Sequence, residues 1–339
     1  MFRISDIKIF ENMTDEQVLK IALKKNKINI NDVTSWHISK KSIDARKKDQ
    51  VHYNYSIDIE VNNENKYKYL SKVKEFGFPT IDVKQLSKRP VIVGAGPAGL
   101  FSAITFIENG IKPIVIEQGE PVENRKKTVD SFLATGKLNT FSNVQFGEGG
   151  AGTFSDGKLT TGINSPFCKK VLETFAKFGA TKQILYLSKP HIGTDNLINI
   201  IKNMREYIIS NGGTFYFNTK VVDFKIENQK INTVICKDVN NPSAELFEIE
   251  TDNVILAIGH SSRDTFEKLY EKGFNMEKKN FSVGVRIEHL QEQINNAQYG
   301  TLTKLKLPPA EYKLAYHSPN GRSCYTFCMC PGRSCYGII

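Results

Sequence analysis

Hydrophobic positions recur with two different periods along the chain, and each change of period marks an element. Residues 2–10 alternate apolar and polar positions as a half-buried strand does. Thr14 and Asp15 then cap a helix running to about Asn26, and alternation returns at residues 35–43 and 52–61, which predicts two further strands. Together these segments predict a small α/β module over residues 1–88, with Pro79 and residues 84–90 as its exit linker. The next pattern is different: Val91, Ile92 and Val93 form a continuous apolar strand, followed by Gly94, Gly96 and Gly99 in G-x-G-x-x-G spacing. A helix carrying Ala103 stops at Gly110, and a second apolar strand ends on Glu117.

Further on, residues 120–133 are polar and helix-prone. Residues 194–211 set Leu197, Ile200, Ile201, Met204 and Ile208 on one helical face, with Gly212 as the stop. Three strands are expected at residues 214–225, 230–237 and 246–250, joined by turns at 227–229 and 240–243. A buried strand then runs from Thr251 to Gly259, a new segment starts at Arg263, and residues 281–287 alternate as a strand again. No repeat of solenoid type is visible.

The glycine-rich unit carries the chemistry. Gly94 permits a tight turn off the strand, Gly96 lets backbone approach a pyrophosphate, and Gly99 lets the helix pack closely on the sheet. Phosphate charge would meet the free amides and positive end of the helix that opens at Pro97 and Ala98. Glu117 can accept hydrogen bonds from both ribose hydroxyls and would repel a 2′-phosphate, so NADP is disfavoured at this site. Strand, turn, helix, helix stop, second strand and acid fall in the order a dinucleotide site requires. The uncharged run 91–107 is about 17 residues long, shorter than the roughly 20 a membrane span needs.

A second glycine cluster places Gly147, Gly149, Gly150, Gly152 and Gly157 within eleven residues. Such a loop makes a poor core element, and fits where backbone lies against a flat ligand or its phosphates. Ser155, Asp156 and Lys158 would add polar contacts. Arg125 stands where a guanidinium could pair with a pyrophosphate or form a surface salt bridge.

Composition adds bounds rather than identity. With 339 residues, 40% apolar and 24% charged, the chain has room for two or three globular domains. No charged-then-apolar leader precedes the first strand, so cytoplasmic location is expected. Net charge is +10, and residues 1–89 hold 18 Lys and Arg against 12 Asp and Glu. A solvated lysine-rich surface is the favoured reading. The alternative is an RNA-directed flavoenzyme, for example one that modifies tRNA, whose RNA would be met by Lys40, Lys41, Arg46, Lys47 and Lys48 on the 40–49 hairpin, with Tyr53 and Tyr55 for stacking. Cys324, Cys328, Cys330 and Cys335 match no common zinc or cluster spacing, so no metal site is expected.

The order of glycine-rich βαβ unit, excursion, helix, three-stranded meander and TDNVILAIG strand resembles flavoproteins of the glutathione-reductase type, which have two dinucleotide-binding domains and bind FAD. The resemblance implies that Glu117, with Gln118 beside it, holds the adenosine ribose. It also implies that the strand around Val221 lies against the adenine and that Ala257 to Gly259 approaches the cofactor. More narrowly, NVQFGEGGAGTFSDGKLTTG, KPHIGTD, LAIGHSSRDTF, FSVGVRIEH and CYTFCMCPG resemble a bacterial family of uncharacterised FAD-dependent dehydrogenases, from about residue 3 to Gly332. The family's own substrate is not established. The implied fold is α/β: a module over 1–88, a Rossmann-like FAD domain over 89–265 with a meander insertion, and part of a substrate domain over 266–339.

The expected activity is FAD-dependent oxidoreduction of an unknown substrate, with NAD(P)H as a candidate electron donor. FAD contacts are assigned to Gly94, Gly96, Pro97, Ala98, Gly99, Glu117, Gln118, Arg125, Gly149, Gly150, Gly152, Lys158, Val221, Ala257 and Gly259. Lys158 is also the candidate for stabilising negative charge on reduced flavin, and His191 and His260 for proton transfer. No Gly-Asp flavin motif follows Gly259, and GRSCY at 321–325 recurs at 332–336. The expectation is therefore a C-terminally truncated chain, with a non-catalytic FAD- or ADP-binding fragment as the alternative.

Overall fold

The computed structural model describes residues 1–74, 77–78, 86–154, 157–163, 165–241, 243–326 and 329. Pro79, Lys84, Ser155, Asp156, Cys328, Cys330, Gly332, Cys335 and the second GRSCY lie outside the described residues. Two compact units divide the chain: Met1–Phe76, Leu185–Pro190 and Asn280–Ile339 form one, and Gly77–Ile184 and His191–Lys279 the other.

In the first unit, β1 (Phe2–Ile9), helix α1 (Asp15–Lys25), β2 (Val33–Asp44), β3 (His52–Val61) and β4 (Ser71–Lys72) build an antiparallel sheet of order β2-β3-β1-β4. The expected capping of α1 is present as a full box, with the Gln17 amide donating to Thr14 Oγ1 and the Thr14 amide to Gln17 Oε1. Ile4, Ile7 and Ile9 pack with Val18, Leu19, Ala22 and Leu23 of α1. A bulge at Asp6, whose φ is +57°, shifts the register between Ile4 and Ile7 and keeps both inside. Arg3 pairs with the buried Asp58 carboxylate through two bonds, of 2.7 and 2.8 Å.

The second unit carries the parallel sheet. Its elements are β5 (Val91–Val93), α2 (Pro97–Glu108), β6 (Ile114–Ile116), α3 (Val122–Thr135), α4 (Phe167–Lys177), α5 (Thr194–Ser210), β7 (Thr214–Tyr216), β8 (Thr219–Glu227), β9 (Lys230–Asp238), β10 (Phe247–Glu250), β11 (Val254–Leu256) and α6 (Arg263–Glu271). The sheet order is β11-β5-β6-β7, all parallel, and β10-β9-β8 forms a separate antiparallel meander.

Strand alternation sorts the core into two layers. Ile92 and Val115 face the helices, packing with Leu100, Ala103 and Ile104 of α2 and Ile200, Ile201 and Met204 of α5. Val91, Val93, Ile114 and Ile116 face the other way, onto Val221, Phe224, Val234 and Ile249 of the meander and Leu269 of α6. Each aliphatic side chain fully buried this way contributes about 1.5–3 kcal/mol. The result is the α/β fold expected from the sequence, a parallel sheet with helices on one face and the meander on the other.

Two strands depart from expectation. The single strand expected over 214–225 is two, because Asn218 takes a left-handed conformation (φ +50°) and turns the chain out of the parallel sheet into the meander. Residues 281–287 form no strand. Phe281, Val283, Val285 and Ile287 are 85, 87, 96 and 71% exposed, so neither face of the alternating pattern is covered. The same stretch of chain continues into α7 (Gln291–Tyr299) and a hairpin of β12 (Ala315–His317) and β13 (Ser323–Tyr325).

Candidate functional site

The site is assembled at the carboxyl ends of β5, β6 and β11, where ligands of open parallel sheets bind. Gly94 leaves β5 with φ +105°, and its amide donates to Ile116 O at 2.7 Å. A Cβ at Gly94 would lie 2.4 Å from Ala257 O, so only glycine lets the end of β11 pass there. At Gly99 a Cβ would lie 1.9 Å from Gly94 O, which fixes how closely α2 approaches the turn. Gly96 is the N-cap residue and Pro97 opens the helix without any side-chain cap. The amides of Ala98 and Gly99 therefore have no intrahelical acceptor and carry the positive end of the helix dipole. Pro97 and Ala98 are exposed, and this helix start can receive an anionic group.

Glu117 ends β6 and is 6% exposed. Its Oε2 accepts from the Ala95 amide at 2.8 Å, and its Oε1 from the amides of Gly119 and Gly147 at 2.9 and 3.1 Å. Three of the roughly four acceptor positions of a carboxylate are thereby filled. The group ties the turn after β5 to the glycine loop and leaves one acceptor position open. Gln118, next along, is half-buried.

The glycine loop lies against the same turn. The Gly149 amide donates to Ala95 O at 2.8 Å, and a Cβ at Gly150 would lie 3.1 Å from Pro97 Cδ and 3.2 Å from Gly96 Cα. Gly147, Gly149 and Gly150 all have positive φ, at 119°, 83° and 66°. The need for glycine here is thus backbone conformation and close approach together. Gly152 is exposed beyond it.

Arg125 differs from expectation. Instead of facing a pyrophosphate or the solvent, its side chain is fully buried and its guanidinium donates to five loop carbonyls. Nε reaches Asn143 O at 2.9 Å, Nη2 reaches Val144 O at 3.0 Å, and Nη1 reaches the carbonyls of Gly147, Glu148 and Gly150 at 3.2, 2.6 and 2.9 Å. The guanidinium donors are thus taken up by the backbone of the glycine loop itself. Burial lowers its pKa to about 10, while Glu117 and Glu148 oppose the shift.

Three residues that sequence reasoning passed over complete this network. Glu148 is fully buried, and its Oε2 accepts from the Val122 amide and from Arg205 Nη1, both at 2.7 Å. Arg205 also forms a bidentate pair with Glu123, at 3.1 and 2.6 Å. Glu148 Oε1 is buried without any hydrogen-bond partner. Burial pushes the Glu148 carboxyl up to about 7 against the pull of Arg205 and the Val122 amide. The sequence did hold a signal: Arg205 follows Ile201 by four on α5, which places a cation at the rim of the buried face.

The remaining expected site residues are scattered. Ala257 sits beside Gly94, with its amide donating to Val93 O at 2.8 Å, and Gly259 and His260 follow it as exposed residues. Val221 is buried in the core between sheet and meander, so its side chain is packed and only its backbone could meet a ligand. Lys158 and His191 face one another across an antiparallel backbone bridge just before α5, with the Ile192 amide donating to Gly157 O at 3.1 Å. His191 is exposed and Lys158 half-buried.

On the 40–49 hairpin, Lys41 Nζ lies over the rings of Tyr53 and Tyr55 at 4.6 and 5.2 Å, Arg46 pairs with Asp44, and Lys48 donates to Gln298 O. These cations are turned to partners within their own unit. Among the described residues no cluster of His, Cys, Asp and Glu could hold a metal ion, and no helix is long and apolar enough to cross a membrane.

Comparison with known proteins agrees with the place of this geometry. Residues 89–152 match the FAD binding domain family, residues 280–335 match the family "FAD-dependent protein, C-terminal domain-like", and residues 1–60 match a domain of unknown function. An uncharacterised protein of Clostridium beijerinckii is 42% identical over 337 residues, covering 95% of this chain. The chain spans 61% of the length of that relative. Among solved structures, the THI4 protein of Thermovibrio ammonificans is similar over 56% of this chain and 63% of its own, with 12% identity and a TM-score of 0.38. Glycine oxidase from Bacillus cereus is similar over 55% of this chain and 58% of its own, with 16% identity and a TM-score of 0.35.

Proposed function

We propose that the second unit binds the ADP half of FAD at the carboxyl ends of β5 and β6, within an FAD-dependent oxidoreductase of the bacterial family that the sequence resembles. One observation carries the reading. The Gly94–Gly99 turn, Glu117 and the Gly147–Gly150 loop converge on the start of α2, and the stretch that brings them together is the stretch matching the FAD binding domain family.

In this reading the amides of Ala98 and Gly99 receive the pyrophosphate, and the free acceptor position of Glu117 meets a ribose hydroxyl. The backbone at Val221 and the Ala257–Gly259 strand end border the cofactor. Bound FAD would supply the electron-transfer chemistry; the chain supplies its position and the surrounding field. Lys158 is the proposed cation on the flavin side, and His191 and His260 are the proposed proton-transfer groups. NAD(P)H is the proposed electron donor.

Visible absorption of the purified protein tests the reading directly. A yellow protein releasing FAD on denaturation, and binding FAD in preference to NAD or FMN in equilibrium dialysis, is the expected result. Purified, folded protein that takes up none of these, or takes up NAD more tightly, would refute it.

A further inference from the structure

We propose that Arg125 is a positioning residue for the dinucleotide: without touching it, the guanidinium holds the glycine loop closed against the Gly94–Gly99 turn and so sets cofactor affinity. The inference rests on the FAD reading of this site and deepens it. Its geometry has three parts. Five carbonyls, from Asn143, Val144, Gly147, Glu148 and Gly150, converge on one planar cation with no exposed surface. The loop is shaped around the side chain, since a Cβ at Gly147 would lie 2.4 Å from Arg125 Cδ, and Arg125 Cζ lies 4.8 Å from the centre of the Phe154 ring. The outer edge of the same loop meets the nucleotide turn, through Gly149 N to Ala95 O, Gly147 N to Glu117 Oε1, and the contact of Gly150 with Gly96 and Pro97.

A loop this rich in glycine loses more backbone entropy on ordering than any other sequence. In the absence of a strut, that loss falls due when the ligand binds and weakens it. With the guanidinium in place, the loop is ordered beforehand at the expense of folding free energy. A lysine keeps the charge and offers three donors from a point, where arginine offers five in a planar fork. Lysine therefore cannot reach carbonyls spread over eight residues.

The test compares wild type with Arg125→Lys and Arg125→Ala, with FAD as the probe, at a temperature where circular dichroism and urea titration show each protein fully folded. The expected result is an FAD Kd raised on the order of tenfold or more in both variants, the scale on which loss of a group orienting a metal's ligands weakens metal binding. Ethylguanidinium is expected to restore affinity in Arg125→Ala, and butylammonium is not. A role confined to global stability would leave Kd unchanged once the protein is folded. Hydrogen exchange of the wild type without FAD keeps the test decisive even where a variant misfolds. The amides of residues 147–150 are all hydrogen-bonded and are expected to exchange slowly. Unchanged Kd in a folded Arg125→Lys protein, or free-chain exchange at 147–150, overturns the strut. Wild type that binds no FAD overturns the functional reading itself, a separate outcome.

Discussion

Glu148→Gln isolates the cost of keeping a buried carboxylate inside the glycine loop. In the folded protein burial raises this carboxyl from 4.5 to about 7, because desolvation outweighs Arg205 and the Val122 amide. Between those two values the native state binds more protons at this position than the unfolded chain does. Stability from this group is thus complete below about pH 4.5 and is lost as pH rises through 7. A gap of that size corresponds to about 3 kcal/mol across the window.

Glutamine is isosteric, still accepts from the Val122 amide, and does not titrate. Its loss of the charge facing Arg205 is largely independent of pH above 7. Urea denaturation of both proteins from pH 4.5 to 8, taken as the difference in unfolding free energy, checks the argument. The variant is expected to gain about 3 kcal/mol relative to wild type between the ends of the range, most of it between pH 5 and 7. A difference that stays flat, or moves the other way, would mean that Glu148 remains ionised at its normal pKa and that the Arg205 pair repays the burial.

Four further outcomes follow from the same structure. Gly99→Ala places a Cβ 1.9 Å from Gly94 O, so α2 must shift off the turn; the expected result is loss of FAD retention, checked by absorbance after gel filtration, and a stably yellow variant would sink it. Ile92→Ala removes a fully buried side chain between β5 and α2 and is expected to cost about 2–5 kcal/mol in urea titration. Val285→Ser, at a 96% exposed position, is expected to change stability by no more than about 0.5 kcal/mol in the same assay. Thr14→Ala breaks the capping box of α1 and is expected to cost about 1 kcal/mol, read as a shifted urea midpoint at unchanged slope.

Local chemistry was legible wherever the sequence alone fixes it. The cap at Thr14, the strand and turn from Val91 to Gly99, the stop at Gly110 and the amphipathic face of α5 all depend on neighbours within a few residues. The break at Asn218 was not legible, since it is set by docking of the Asn218 amide on Gly119 O, a residue about a hundred positions earlier. Helix α4 has no clear signature in the sequence, because Phe167–Lys177 sets its apolar residues against a core that other elements complete. Residues 281–287 show the reverse failure: alternation predicts a strand, yet a strand forms only where a neighbour pairs with it.

Arg125 divides the two kinds of knowledge most clearly. From the sequence it was a cation near a phosphate-binding turn, and any anion nearby could have been its partner. What the sequence determined was the turn itself, its glycines, the acid at Glu117 and the α/β order, because backbone conformation and strand periodicity are local properties. Burial of the guanidinium and of Glu148 comes from folding, since desolvation and the convergence of five carbonyls arise from residues distant in sequence that are brought together.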